Sequence, residues 1–528
     1  MNKLRVRALM FEGTQRYLDG HTKYSVVWSE HFLYRCPSLS EIGVDHSVAE
    51  DAHDSVAFPA SYQAKDTCSP YNCHYHLSLT SHKLSSATMA NNTGSTKLSH
   101  NQSLQALQSF LDANPSIEFV RLQWVDYTAS VRTRLVTIRQ ALRLAAQGLT
   151  VSVASPLARA FLVDGSFNEI TAGEKDSLTP DWSTLVVCYY QPGHAAVMCS
   201  IDEGGRGFDC CPRSLLKKIE REVGEKKGMS FLVGVEVEFY LTASAESTEP
   251  AKDIGSYCST ASLRTPYLAV LEDSVRAIES AEIPTWTFHS ELVAGLFEIS
   301  TEPMTPLRAA DAIVYMHEAI KATAVKHGLH ATMHPKPFDK THGVGQHMHI
   351  SLSSTDVKDD AFLAGVLDSV PGISAISMPN YDSYLRSDFA GGEWVSWDTE
   401  NRTCSIRKIR PAYWEFRFID CTSNAYLVLA AILGVGMAAL EKGLELKMKP
   451  MLGRSEKLDE KTRREMGIEK AVPRGLKDAI EALKEDKAVM NALGKKVWER
   501  FIAYKENEEQ MLGKLTLQER RTMIKGLF

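Results

Sequence analysis

The stretch Gly234-Val-Glu236-Val-Glu238-Phe-Tyr-Leu241 decides how the rest of the chain is read. Its apolar residues are mostly β-branched or aromatic, which predicts a strand. Residues two apart on a strand share a face. Glu236 and Glu238 therefore point the same way from an otherwise apolar strand. A half-buried strand can carry such a pair on its solvent face with no function, so the pair needs companions. His289-Ser290-Glu291-Leu-Val-Ala-Gly295-Leu-Phe-Glu298 offers an imidazole and two carboxylates around a glycine that can turn the chain back. Gly343-Val-Gly345-Gln-His347-Met-His349-Ile-Ser351 places two histidines on one strand face after a glycine-rich turn. Tyr413-Trp-Glu415-Phe-Arg417-Phe alternates opposite charges among aromatics, a pattern that a cross-strand salt bridge also explains.

Together these segments supply five glutamates and a histidine from separate strands, enough for two hard-cation sites. Carboxylate-rich oxygen and nitrogen ligation suits Mg²⁺ or Mn²⁺ better than structural zinc. Paired divalent ions clamp phosphate oxygens during phosphoryl transfer. Asn401-Arg402-Thr-Cys-Ser-Ile-Arg407 adds two arginines for the same charge. No GxxxxGK[ST] occurs, so the pattern points to ATP chemistry without a P-loop.

Working outward, the chain has 528 residues, 44% hydrophobic and 23% charged, with net charge −6. That balance argues against a nucleic-acid binder driven by a basic face. The longest apolar run, Ala425–Leu440, is 16 residues, short of a membrane span and read as a buried helix. Ten cysteines form no regular pairing pattern, and no secretory leader is seen, so a cytoplasmic location is expected.

Residues 1–102 read as a disordered extension. Residues 36–104 are rich in Ser, His, Asn and Thr, and eight of the 17 histidines lie in residues 1–100. Cys68-x4-Cys73-His74-Tyr75-His76 lacks the spacing of a structural zinc site and has no second half. Met89 is a candidate start. Residues 103–210 read as a compact α+β unit, with helices near 104–111 and 138–147 and strands at 117–126, 150–153 and 184–190. A helix begins at Pro212. Strands and helices alternate to about 445, and the last 80 residues are charged and helical.

These blocks, in order, resemble the glutamine synthetase family, of the type I-like lineage that includes fungal glutamine synthetase-like proteins. Met-His-Pro-Lys-Pro-Phe (333–338) and Glu-Phe-Arg-Phe-Ile-Asp…Asn-Ala-Tyr-Leu (415–427) add to the match, which runs from about residue 104 to Phe528. The resemblance implies an α+β fold: an N-terminal β-grasp domain (103–210) and a catalytic domain (211–528) with a curved antiparallel sheet. It implies a homo-oligomeric ring with active sites between subunits. It assigns Glu238, Glu291 and Glu298 to one metal and Glu236, His347 and Glu415 to the other, with Mg²⁺ or Mn²⁺ as cofactor and ATP as substrate. Arg386, Arg402 and Arg417 correspond to groups holding the substrate carboxylate or the transferring phosphoryl group. By the same resemblance Ser351, Arg402 and Arg407 match nucleotide-contacting positions, His289 matches a substrate-side histidine, and Gly343 matches a backbone contact to glutamate.

Three departures shape the functional expectation. The family's ammonium-binding aspartate aligns with Ala154 of Val153-Ala154-Ser155-Pro156-Leu157-Ala158-Arg159-Ala160-Phe161. The flap glutamate is matched by Glu393, with a shorter spacing to Arg402. His342 replaces the asparagine before Gly343. The expected activity is ATP-dependent ligation of glutamate or an analogue to an amine other than ammonia. True glutamine synthesis and a non-catalytic regulatory role stand as alternatives. Neither nucleic acid nor membrane is an expected partner.

Overall fold

The computed structural model describes residues 99–159, 174–253, 255–353, 359–386, 392–451 and 453–528. The chain divides into two units, Met1–Ala87 and Thr88–Phe528, and every described residue belongs to the second. The expectations for Cys68–His76 and Met89 lie outside the described residues.

Helix α1 (His100–Ala113) is opened by a capping box in which Ser99 and Gln102 satisfy each other's backbone N–H groups. A six-stranded sheet follows, built from β1 (Phe119–Val125), β2 (Val131–Thr137), β3 (Val151–Ala154), β4 (Lys175–Pro180), β5 (Val186–Val187) and β6 (His194–Asp202). Its order is β2-β1-β6-β4-β3, with β5 also on β6. Helices α2 (Ile138–Gln147) and α3 (Ser155–Arg159) interrupt the strands. β1 and β6 run parallel. Of the strand expected at 184–190 only the two residues of β5 join the sheet; Thr184 ends the 3₁₀ turn Trp182–Thr184, and Tyr189–Tyr190 form a turn. The long strand is instead β6, absent from the sequence reading. It is central and buried almost throughout, so it shows no polar alternation.

Helix α4 (Pro212–Lys227) starts on proline, as expected. The second sheet holds β7 (Phe231–Thr242), β8 (Thr285–Ser290), β9 (Leu296–Thr301), β10 (His330–Thr332), β11 (Met348–Leu352), β12 (Trp397–Thr399), β13 (Ile406–Arg410) and β14 (Tyr413–Phe416). The order is β12-β13-β14-β11-β7-β9-β8, with β10 on the end of β7. β7 thus sits between β11 and β9, antiparallel to both. Helices α5 (Tyr267–Ser280), α6 (Pro306–Lys326), α7 (Asp359–Ser377) and α8 (Ala425–Lys442) pack with this sheet in one core. α7 and α8 meet through glycines: a Cβ on Gly436 would lie 2.1 Å from Phe362, and one on Gly365 2.3 Å from Ala439. α8 is long and apolar enough to cross a membrane, but it is a core helix, buried on nearly every side. The chain closes with α9 (Glu460–Glu465), α10 (Leu476–Glu485), α11 (Lys487–Leu493), α12 (Lys495–Leu512) and α13 (Leu517–Lys525).

Candidate active site

β7 alternates as its sequence requires. Val235, Val237 and Phe239 are buried, while Glu236 and Glu238 are half-buried on the other face. Register then gathers charge. Glu238 lies directly opposite Glu298 on β9, and His289 on β8 lies on the far side of Glu298. Glu415 lies opposite His349 on β11 and opposite Arg407 on β13. Gly295 takes φ +73° between Glu291 and β9, which glycine does without strain, and so makes the turn.

Like charges directly opposite one another destabilise a sheet. The Glu238–Glu298 pair is therefore a cost that a cation removes. Burial pushes the Glu298 carboxyl well above the usual range, and the charges of Glu236, Glu238, Glu291 and Glu415 push it the same way. Burial also pushes Glu236 upward, but hydrogen bonds from His347 and His349 outweigh it and hold that carboxyl well below its usual value. Glu415 is held low against burial by Arg417 and His347.

His347 is the hub. Its Nδ1 lies 3.0 Å from Glu236 Oε2, 3.6 Å from Glu415 Oε1 and 3.9 Å from Glu238 Oε1. A carboxylate only accepts, so Nδ1–H donates to Glu236. That leaves the buried Nε2 with no hydrogen-bond partner among the described residues, the state of an imidazole ready to ligate a cation. Two groups of ligand atoms converge within 4.8 Å: Glu236, His349 and Glu415, and His289, Glu291 and Glu298. The donor set of carboxylates and imidazoles fits a hard divalent cation.

The geometry gives a place in the cluster to His349 and Tyr413, to which the sequence reading assigned no role, and to His289, which it set on the substrate side. His349 Nε2 donates to Glu236 Oε1 at 2.8 Å, and the Tyr413 hydroxyl donates to His349 Nδ1 at 3.1 Å. His289 joins Glu291 at 3.1 Å as well as facing Glu298. The paired histidines were visible in 343–351, but Tyr413 could be placed only once β11 and β14 were registered.

A cavity of about 80 Å³ opens beside the cluster, lined by Glu238, Glu291, His342, Gly343, Arg386 and Arg417 among others. Arg386 is buried and held below its usual range by burial, and its Nη1 has no partner among the described residues. Arg417 Nε likewise finds no partner among the described residues, while its Nη1 bonds Glu415. Two guanidinium groups with unused donors at one small cavity suit a carboxylate. Gly343 is required there, because a Cβ would sit 2.3 Å from Arg386 Cβ. Ser351 lies on β11, and Arg407 on β13 donates to Glu415 at 2.5 Å and Glu400 at 2.9 Å.

Two sequence candidates stand apart. Glu393 is exposed, with its carboxylate 3.8 Å from Arg474, and is not among the clustered carboxylates. Its segment is pinned elsewhere: Val472 N–H donates to the Glu393 carbonyl and Val395 N–H to the Lys470 carbonyl. Arg402 is exposed at a loop tip, though its charge reaches Tyr257, whose ring packs edge-on against His289 at 5.2 Å. Ala154 ends β3 and is exposed.

Residues 209–522 match the family described as glutamine synthetase, catalytic domain. The chain belongs to the glutamine synthetase family. This is a family of ATP-dependent ligases that use divalent metals. Protein fluG of Emericella nidulans is 29% identical over 82% of this chain, which spans about half (51%) of that relative. The gamma-glutamylpolyamine synthetase of Streptomyces coelicolor is 27% identical over 74% of this chain and 89% of its own length. A structure of GmaS without ligand superposes with TM-score 0.67 at 25% identity, covering 78% of this chain and 98% of that one. The family's fold accounts for the α+β arrangement of two sheets.

Proposed function

We propose that this glutamine synthetase family member joins the γ-carboxylate of glutamate, or of a close analogue, to an organic amine in preference to ammonia. The observation that carries the reading is the convergence of five glutamates and His347 beside a small cavity holding the free donors of Arg386 and Arg417. The amine preference rests on Ala154. A charged ammonium ion is held best by a carboxylate, and this position is apolar and exposed. The similarity to a protein named for γ-glutamylpolyamine synthesis supports the same preference.

Arg386 and Arg417 hold the acid. An oxygen of its γ-carboxylate attacks the γ-phosphorus of ATP, a C–O–P linkage forms, and ADP leaves. The amine nitrogen then attacks the acyl carbon, the C–O bond breaks, phosphate departs, and the nitrogen loses a proton. Phosphate is a far better leaving group than oxide. Arginines aimed at the phosphoryl oxygens offset their developing charge. Glu238, Glu291 and Glu298, and Glu236, His347 and Glu415, would hold the two cations, Mg²⁺ or Mn²⁺. Such cations polarise phosphoryl oxygens when bound. We further propose that the protein works as a homo-oligomeric ring, in which the exposed end of β3 meets a neighbouring subunit's site.

The test is phosphate release from ATP and Mg²⁺ with glutamate, comparing ammonium with polyamines, aromatic amines and amino acids, with products read by mass spectrometry. Glu298→Ala is the blank. Amide formation with an organic amine supports the reading. Efficient glutamine formation favours ordinary glutamine synthesis. Nucleotide binding without acid- and amine-dependent turnover favours a regulatory role.

A further inference from the structure

We infer that helix α13 is the device that holds the acid-binding cavity in shape, through two adjacent arginines that each grip a different wall of it. This rests on the reading of the cavity as the acid site. One wall is the 333–343 loop, which brings His342 and Gly343; the other is the 380–386 segment, which brings Arg386. The walls come within van der Waals reach of each other at Gly343, so a small shift in either is felt by the other.

Arg520 grips the second wall. Its Nε donates to both oxygens of Asp382 at 3.0 Å, and Nη2 donates to Oδ1 at 2.8 Å. Its guanidinium also lies 4.4 Å from the Tyr381 ring centroid. Asp382 is buried and opens the 3₁₀ turn Ser383–Arg386, accepting the Leu385 N–H on its carbonyl at 3.1 Å. The position of Arg386 is thus tied to Arg520. Arg521 grips the first wall. Its Nε donates to the Lys336 carbonyl at 2.9 Å and its Nη1 to Asp339 at 2.6 Å. Lys525, one turn on, lies 5.5 Å from the Phe338 ring centroid, and Phe338 packs edge-on against Tyr240 at 5.2 Å. The Tyr240 hydroxyl donates to the His342 carbonyl at 3.1 Å, completing the path to the cavity.

Successive helical residues point about 100° apart, so Arg520 and Arg521 must serve different neighbours. Both side chains are largely buried, unlike ordinary surface arginines. Neither touches the cavity or the carboxylate cluster, so both are positioning residues.

The experiment compares the full chain with Arg521→Ala, Arg521→Lys and the double variant Arg520→Met/Asp382→Asn. The double variant avoids leaving Asp382 as an unpaired buried charge. Hydrogen exchange of the metal-free protein is read first. The 333–343 and 380–386 segments should exchange about tenfold faster in the Arg521→Ala and double variants, with α7 and α8 unchanged. The KM for glutamate should rise about tenfold while the KM for ATP stays within about twofold, and Arg521→Lys should restore part of the loss. Unchanged exchange in both segments overturns the inference, as does equal weakening of acid and nucleotide. If the wild-type chain shows no acid-dependent turnover, the functional reading fails while the exchange comparison still decides the role of α13.

Discussion

Replacing Glu298 with glutamine tests the charge cluster directly, because the change keeps the shape and removes one ionisable group. Glu298 is buried at 7% exposure and lies opposite Glu238, with three further carboxylates bearing on it. Exchanging a strained buried charge for a neutral isostere stabilises a fold by about 1–2 kcal/mol. In a chain of this length that is a rise of about 1–2 °C in Tm. The effect has a definite pH sign. A carboxyl whose folded pKa lies above its unfolded value costs nothing below the unfolded value and progressively more as pH rises toward the folded one. The advantage of Glu298→Gln in EDTA should therefore be absent at acid pH and grow as pH rises above the usual glutamate range. Mg²⁺ reverses the order. At a hundredfold excess over Kd it stabilises the wild type by about 2.7 kcal/mol per site, or about 3 °C, and the variant by much less. Calorimetric scans with EDTA and with Mg²⁺ give both numbers. A variant that melts below the wild type in EDTA, or gains as much from Mg²⁺, would refute the reasoning.

Three other substitutions carry definite expectations. Ala154→Asp should raise the ratio of ammonium-dependent to amine-dependent turnover by about tenfold, since it supplies the missing carboxylate; a panel assay with both nucleophiles checks this. Gly343→Ala forces a Cβ into Arg386, so the KM for the acid should rise about a hundredfold with nucleotide affinity unchanged, read by calorimetric titration of ADP. His317 and His334 are fully buried, and burial holds each down to about 3. Below their unfolded value of about 6.5 the unfolded chain takes up protons that the folded chain refuses, so each costs about 2 kcal/mol by about pH 5. Urea unfolding should show that loss, and His334→Asn, which keeps an acceptor for the Lys336 N–H, should show less of it.

Sequence periodicity carried much of the site because strand geometry is local. Glu236 and Glu238 share a face by spacing alone, and Gly295 turns the chain where its sequence placed a turn. What escaped was set by distant partners. β6 gave no alternation because neighbours cover both of its faces. The link from Tyr413 through His349 to Glu236 exists only after β11 is placed between β7 and β14. The grip of Arg520 on Asp382 spans 138 residues, a separation that no local pattern records. Glu393 matched a motif, but backbone bonds to residues 470–472 fix where its segment lies.

The central claim is that the site makes an amide from a glutamate-like acid and prefers an organic amine. The most direct measurement is a competition in one vessel, with ATP, Mg²⁺, glutamate, ¹⁵N-ammonium and an equal concentration of a diamine, and both products counted by mass spectrometry. The account predicts γ-glutamyl-diamine in excess over labelled glutamine, with one ADP formed per amide. Labelled glutamine as the dominant product would contradict it.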